Sequence, residues 1–114
     1  MVQSEEKIEM KEVEEKPRKG IVTPNICSWT NDEGTGTIVE IYLPGVEKDT
    51  IKLKMDKDNI FVAGETDTLR YIGGYGLCCP VDAKKARSTY KNGLLRIEAP
   101  FMDITMDTYD VPIE

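Results

Sequence analysis

Short runs rich in β-branched and aromatic residues recur along most of this chain, and residues that favour turns separate them. Between residues 21 and 101 these runs follow one another at intervals of about ten residues. A run this short buries only one face, so it has to pair with other strands along its edges and stack against a second layer. This spacing predicts an all-β fold, an antiparallel β-sandwich.

Individual runs carry clear strand signals. Residues 37–43 are mostly β-branched or aromatic, and Pro44-Gly45 ends the run. Residues 51–55 alternate apolar and basic side chains, so we expect one face of this strand to be buried and the other solvated. A polar turn at residues 56–59 joins it to the run at 60–64. These two runs predict a hairpin.

Asn92-Gly93 lies between two further runs and predicts a tight hairpin turn, because both residue types accept positive φ. The run at residues 71–80 places Cys78 and Cys79 on a strand, where successive side chains point to opposite faces. We therefore expect one cysteine to be buried and the other half exposed, and the two not to form a redox pair. Trp29 ends a first short strand at residues 25–29 and is expected in the core or at its rim.

The chain is long enough for one domain with extensions at its ends. Residues 1–20 hold six glutamates and five basic residues with few apolar positions, which predicts a flexible charged arm. Residues 21–103 contain the strand pattern and are assigned to the sandwich. Residues 104–114 form a C-terminal tail.

The tail ends in the sequence YDVPIE. Pro112 lacks a backbone N–H and fixes φ, so this stretch cannot continue a helix or lie inside a sheet. In an extended backbone Val111 and Ile113 point to the same side. They form an apolar pair that predicts docking in a groove.

Composition argues against several classes of function. A net charge of −6 opposes binding to nucleic acid, because the phosphate backbone is also negative. No run approaches the roughly 18 apolar residues of a membrane span. We therefore expect a cytoplasmic protein that binds neither nucleic acid nor a membrane. The chain has no histidine, and its three cysteines lack CxxC spacing. The acids Asp56, Asp58 and Glu65 lack calcium-loop spacing and indicate a solvated turn. We expect no catalytic residue, no metal site and no cofactor, and hence no enzyme.

Three motifs occur together in this sequence. LPGV at residues 43–46 ends a strand and precedes IKLKMD, STYKNGLLRIEAP follows at residues 88–100, and VPI closes the tail at 111–113. The combination resembles the α-crystallin domain of small heat-shock proteins over about four-fifths of the chain. The motif positions that carry the resemblance are Leu43, Pro44, Gly45, Tyr90, Asn92, Gly93, Leu95, Val111, Pro112 and Ile113.

The resemblance implies an immunoglobulin-like antiparallel β-sandwich and an ATP-independent chaperone, which holds non-native client proteins short of aggregation. It also implies self-association, because the family's I-x-I tail docks in an apolar groove between two strands of a neighbouring domain. Carried over to this chain, the groove would be lined by Ile51, Leu53, Met55, Ala86, Ser88 and Tyr90. Whether the tail docks on its own domain or on another is open from the sequence.

The connection at residues 65–70 departs from the family pattern. Many members carry a long loop here, with a strand that pairs with a partner subunit, whereas only ETDTLR separates Gly64 from Tyr71. This short connection puts a swapped dimer in doubt. It also leaves an alternative open, an adaptor similar to the co-chaperone CS domain that binds one defined folded partner.

Overall fold

In the computed structural model, which describes residues 19–102 and 109–114, eight β-strands form two sheets. In chain order the strands are β1 Gly20–Val22, β2 Ile26–Thr30, β3 Gly36–Tyr42, β4 Lys52–Met55, β5 Asn59–Glu65, β6 Leu69–Gly76, β7 Arg87–Lys91 and β8 Leu94–Pro100. Single turns of 3-10 helix at Lys48–Thr50 and Ala83–Lys85 precede β4 and β7. The two sheets confirm the predicted β-sandwich.

Strand order determines which strands remain at the edges. One sheet has the order β1-β6-β5-β4 and the other the order β2-β3-β8-β7. The pairings are antiparallel except that of β1 with β6, which is parallel. β4 and β7 are therefore outer strands of the two sheets.

The core lies between the sheets and follows from the alternation of side chains along the strands. Val39 and Ile41 of β3 and Ile97 of β8 point inward from one sheet, and Ile60 and Val62 of β5 meet them from the other. Each of the five is at most 3% exposed. Burying one such side chain contributes about 1.5 to 3 kcal/mol, so this layer accounts for much of the stability.

Both predicted hairpins are present. Asn92 and Gly93 have φ values of 52° and 80°, as the turn between β7 and β8 requires. In the β4–β5 hairpin the Asp56 carboxylate accepts hydrogen bonds from the backbone N–H groups of Asp58 and Asn59 at 2.8 and 2.7 Å. These backbone hydrogen bonds lower the pKa of Asp56, because they favour its charged form. Asp56 therefore stabilises the turn by hydrogen bonding.

Two sequence predictions about single residues are wrong. β6 ends at Gly76, so Cys78 and Cys79 lie in a bend after the strand, and both are exposed. Trp29 lies on the outer face of the sandwich with 43% of its surface exposed, and the Arg96 guanidinium lies 6.0 Å from its ring centroid. The Trp29 ring therefore interacts with the Arg96 cation on the surface and is not buried in the core as we expected.

Most of the predicted arm and about half of the predicted tail are not among the described residues. Residues 1–18 of the arm and residues 103–108, where the predicted sandwich ends and the tail begins, lie outside the described residues. β1 begins at Gly20, one residue before the predicted start of the sandwich, and Lys19 forms an ion pair with Glu65 at 3.2 Å. Hydrogen bonds from Arg70 and Lys19 lower the pKa of Glu65.

Candidate functional site: a groove between two strand edges

A groove of about 530 Å³ runs between β4 and β7. Along the described chain β4 pairs only with β5, and β7 only with β8, so each presents an unpaired backbone edge beside the groove. Such an edge offers N–H and C=O groups to an added extended peptide. The groove is lined by Lys48, Ile51, Leu53, Ser88, Thr89, Tyr90, Lys91 and Leu95.

The floor of the groove is apolar and its rim is basic. Ile51 and Leu53 are half-buried and pack against the core, and Leu95, which also lines the groove, is 3% exposed. Lys48 and Lys91 are the basic residues that line the same groove. This arrangement suits an extended peptide with apolar side chains at alternate positions and acidic residues nearby.

Tyr90 fixes one wall of the groove. Its hydroxyl lies 2.8 Å from the carbonyl oxygens of both Leu43 and Val46, in the segment that follows β3. Burial raises the pKa of Tyr90, and the nearby Tyr71 adds to the rise, so the hydroxyl stays protonated and can donate. Tyr90 thus tethers β7 to the segment between β3 and β4.

The motif residues meet at this tether. The Leu43 N–H donates to the Gly93 carbonyl oxygen over 2.7 Å, and Leu43 itself is fully buried. Gly45 has a φ of 75°, and a Cβ on Gly93 would lie 3.2 Å from the Pro44 Cα. The LPG and NG motifs are therefore in direct contact, although they lie almost fifty positions apart in the sequence.

We expect Tyr90→Phe to lower the free energy of unfolding by about 0.5 to 1.5 kcal/mol, because the part-buried carbonyl groups of Leu43 and Val46 lose the hydroxyl that donates to them while the ring still fills its site. Urea unfolding monitored by circular dichroism measures the change. Tyr42→Phe is the control, since Tyr42 is 43% exposed. Equal stability of the Tyr90 variant and the parent would contradict the tether.

Four of the six predicted groove residues line the groove, namely Ile51, Leu53, Ser88 and Tyr90. The other two, Met55 at the end of β4 and Ala86 just before β7, do not line the groove. The sequence analysis missed Lys48, Thr89 and Lys91, and it named Leu95 only as a motif residue. Leu95 pairs with Tyr90 across β7 and β8, so hairpin register carried a signal for it.

The tail stands away from the sandwich. Val111 and Ile113 are 80% and 100% exposed, and Tyr109 is 90% exposed. Large apolar side chains in water are unfavourable, so this segment has free energy to gain from docking.

A larger cleft of about 600 Å³ lies on the outer face of the β2-β3-β8-β7 sheet. Its side chains carry both signs of charge, and the Arg96 guanidinium in it pairs with Glu40 at 3.1 Å and Glu98 at 3.4 Å. These charges already neutralise one another, so this cleft offers little selectivity for a charged ligand.

Across residues 19–102 and 109–114 there is no group of three or more acidic or cysteine side chains that could hold a metal ion. Nor does any helix in those ranges have the length and apolarity to cross a membrane.

Comparison with solved structures identifies the fold. Heat shock protein 16.0 from Schizosaccharomyces pombe superposes with a TM-score of 0.65 at 17% identity, over 87% of this chain and 80% of the other. HSP18.5 from E. histolytica gives a TM-score of 0.63 at 15% identity, over 81% and 99%. The chain has the α-crystallin fold of small heat-shock proteins. Sequence comparison agrees, since a "Probable 15 kDa heat shock protein" from Leptospira interrogans is 27% identical, with 75% of each chain covered. No protein-family model matches the chain.

These findings confirm the resemblance to small heat-shock proteins that the motifs predicted. The fold explains the position of the groove, because the α-crystallin sandwich leaves β4 and β7 as neighbouring outer strands.

Proposed function

We propose that this protein is an ATP-independent chaperone that holds non-native proteins short of aggregation and assembles by docking its C-terminal tail in the β4–β7 groove of another copy. The observation that carries the proposal is an open apolar groove on a molecule whose own apolar tail is exposed. This activity needs no cofactor and no catalytic residue. We place it in the cytoplasm, where the three cysteines would remain as free thiols.

The chemistry of the tail matches that of the groove. Val111 and Ile113 can enter adjacent pockets from one side of an extended backbone, and Pro112 holds that backbone extended before docking. Asp110 and Glu114 flank the apolar pair, and Lys48 and Lys91 line the groove. Opposite charges favour this pairing and its orientation. The exposure of Val111 and Ile113 favours a groove on another copy over the tail's own domain.

A second surface suits contact with client proteins. Ile21, Phe61 and Ile72 are 71%, 51% and 46% exposed, and register places them on the outer face of the β1-β6-β5-β4 sheet. Gly74 lies opposite Phe61 on β6, so no side chain covers the aromatic ring from that position. Exposed apolar surface of this kind can bind the apolar segments that an unfolding protein releases.

We expect a near-stoichiometric amount of this protein, without ATP, to suppress the light scattering of a heated aggregation-prone client. Replacing Phe61 and Ile72 together with serine should reduce this protection several-fold, because the apolar contact surface is lost while the core is unchanged. Light scattering as a function of chaperone-to-client ratio measures both effects.

The matched control is Tyr42→Ser, which removes a 43% exposed aromatic ring from the opposite sheet and should leave protection near that of the parent. Unchanged scattering with the parent at several-fold excess would overturn the chaperone proposal. Equal protection by the Phe61 and Ile72 double variant would show that clients bind a different surface.

The connection between β5 and β6 favours a second candidate, the CS-domain-like adaptor. The Thr66 N–H donates to the Leu69 carbonyl oxygen over 2.8 Å, so the two strands form a tight hairpin without a swapping loop. An adaptor of this kind would be a monomer in solution at all concentrations. Sedimentation at two concentrations distinguishes the two functions, because the chaperone forms larger particles.

A further inference from the structure

Cys78 and Cys79 place two thiols side by side on the surface. Their Sγ atoms are 3.0 Å apart, and both residues are exposed. On a strand the two side chains would point to opposite faces. The bend after β6 turns both sulfur atoms to the same side.

Hydrogen bonds hold this bend at both ends. The Leu77 N–H donates to the Asp58 carbonyl oxygen over 2.7 Å, and the Val81 N–H donates to the Lys57 carbonyl oxygen over 2.9 Å. Val81 is fully buried, so the exit from the bend is fixed to the core. The two thiols therefore sit on a supported backbone, which reduces the entropy lost when one ligand binds both.

We infer that Cys78 and Cys79 form a binding site for trivalent organoarsenicals, which bind two thiols through one arsenic atom. A hydrated monosubstituted arsenical, R–As(OH)₂, reacts with the two thiols to give R–As(S–Cys)₂ and two molecules of water. Two As–S bonds form and two As–O bonds break, and each thiol proton leaves with a hydroxide. No oxidation or reduction takes place, so the reaction needs no further reagent.

The distance between the sulfur atoms favours this ligand class. With bonds to sulfur of about 2.3 Å, a centre whose two bonds meet at about a right angle needs sulfur atoms about 3.3 Å apart, whereas a linear two-coordinate metal needs about 4.6 Å. The observed 3.0 Å is close to the first value. Zinc requires about four ligands, and the described residues supply no third acidic or cysteine side chain here.

A protonated Cys79 thiol is compatible with this reaction. The hydrogen bond to Cys78 raises the pKa of the Cys79 thiol, with desolvation and repulsion from Cys78 adding to the rise. A protonated thiol is a poor nucleophile for simple alkylating agents. Condensation with an arsenical consumes the thiol proton as water, and the second As–S bond forms within the same molecule.

The test uses the full reduced chain and phenylarsine oxide. We expect one arsenical per chain by intact-mass measurement and a fall in free thiols from three to one. Cys78→Ser and Cys79→Ser should each weaken binding by about 100-fold or more, because two-point attachment is lost. Cys27→Ser is the matched control and should bind as tightly as the parent, since Cys27 is an exposed cysteine on β2.

Both tested cysteines are exposed, so serine should leave the fold intact, and circular dichroism verifies this for each variant. Binding as tight as the parent's in either the Cys78 or the Cys79 variant would overturn the inference. So would loss of binding in Cys27→Ser, or an adduct whose mass corresponds to two bridged chains.

Discussion

Replacing Val111 and Ile113 together with glycine is expected to reduce the size of the protein in solution while leaving the melting transition of the sandwich nearly unchanged. Both side chains are largely in water in the single chain, at 80% and 100% exposure, so the core does not depend on them. In an assembly they would fill the groove over Ile51 and Leu53. Light scattering with size-exclusion chromatography measures the size, and circular dichroism the melting.

The expected effect is large because the contact is repeated. Burying one valine or isoleucine side chain contributes about 1.5 to 3 kcal/mol, so two contribute a few kcal/mol before the entropy of ordering the tail is subtracted. One such contact binds weakly. In a particle, each docked tail raises the effective concentration of the others, so removing all of them should dissociate the particle.

The groove offers a reciprocal test with its own control. Leu53→Ala should reduce the size as the tail variant does, since Leu53 lines the groove. Lys54→Ala changes the next residue of β4, which is exposed on the other face, and should keep the parent's size. If the tail variant keeps the parent's size, docking on another copy is refuted. If it unfolds, the tail belongs to the core, which also contradicts the proposal.

The strand pattern correctly predicted the structural features that are determined by residues adjacent in the sequence. Alternation in residues 51–55 correctly placed Ile51 and Leu53 on one face, and the turn propensity of Asn92-Gly93 correctly located the β7–β8 hairpin. Both signals are local, because side-chain direction and turn geometry depend on a few consecutive residues.

The bend at Cys78 and Cys79 shows why other parts could not be predicted. The apolar run continues past Gly76, but Gly76 pairs with Asn59, the first residue of β5, and β6 has no further ladder partner on that strand. The Leu77 N–H donates instead to the turn carbonyl of Asp58, and the chain bends. The end of β6 is therefore determined by the length of its partner, which the run itself does not encode.

The residues at the rim of the groove could not be predicted either, because their positions also depend on distant parts of the chain. Lys48 comes from the 3-10 turn before β4, and Lys91 from the last position of β7. Strand periodicity assigns neither to the groove, because their positions follow from how the two sheets stack. β1 was missed for a related reason: its three residues pair with β6, almost fifty positions away. So short a run carries little signal of its own.

Gly93→Val is expected to lower the free energy of unfolding by about 1 to 3 kcal/mol, the usual strain of a side chain held in an unfavourable backbone region. Gly93 has a φ of 80°, which a β-branched residue rarely adopts. For a domain of this size each kcal/mol lowers the melting temperature by about 4 to 8 °C, so thermal unfolding measures the change.

Gly34→Val is the matched control, because it separates backbone strain from contact. Gly34 also has positive φ, at 71°, but a Cβ there would have no neighbour within 4 Å, whereas at Gly93 it would lie 3.2 Å from the Pro44 Cα. We expect the Gly93 variant to lose more stability than the Gly34 variant, since only the former pushes against the LPG motif. Equal losses would mean that the two motifs do not support each other. An unchanged melting temperature for Gly93→Val would contradict the β7–β8 turn itself.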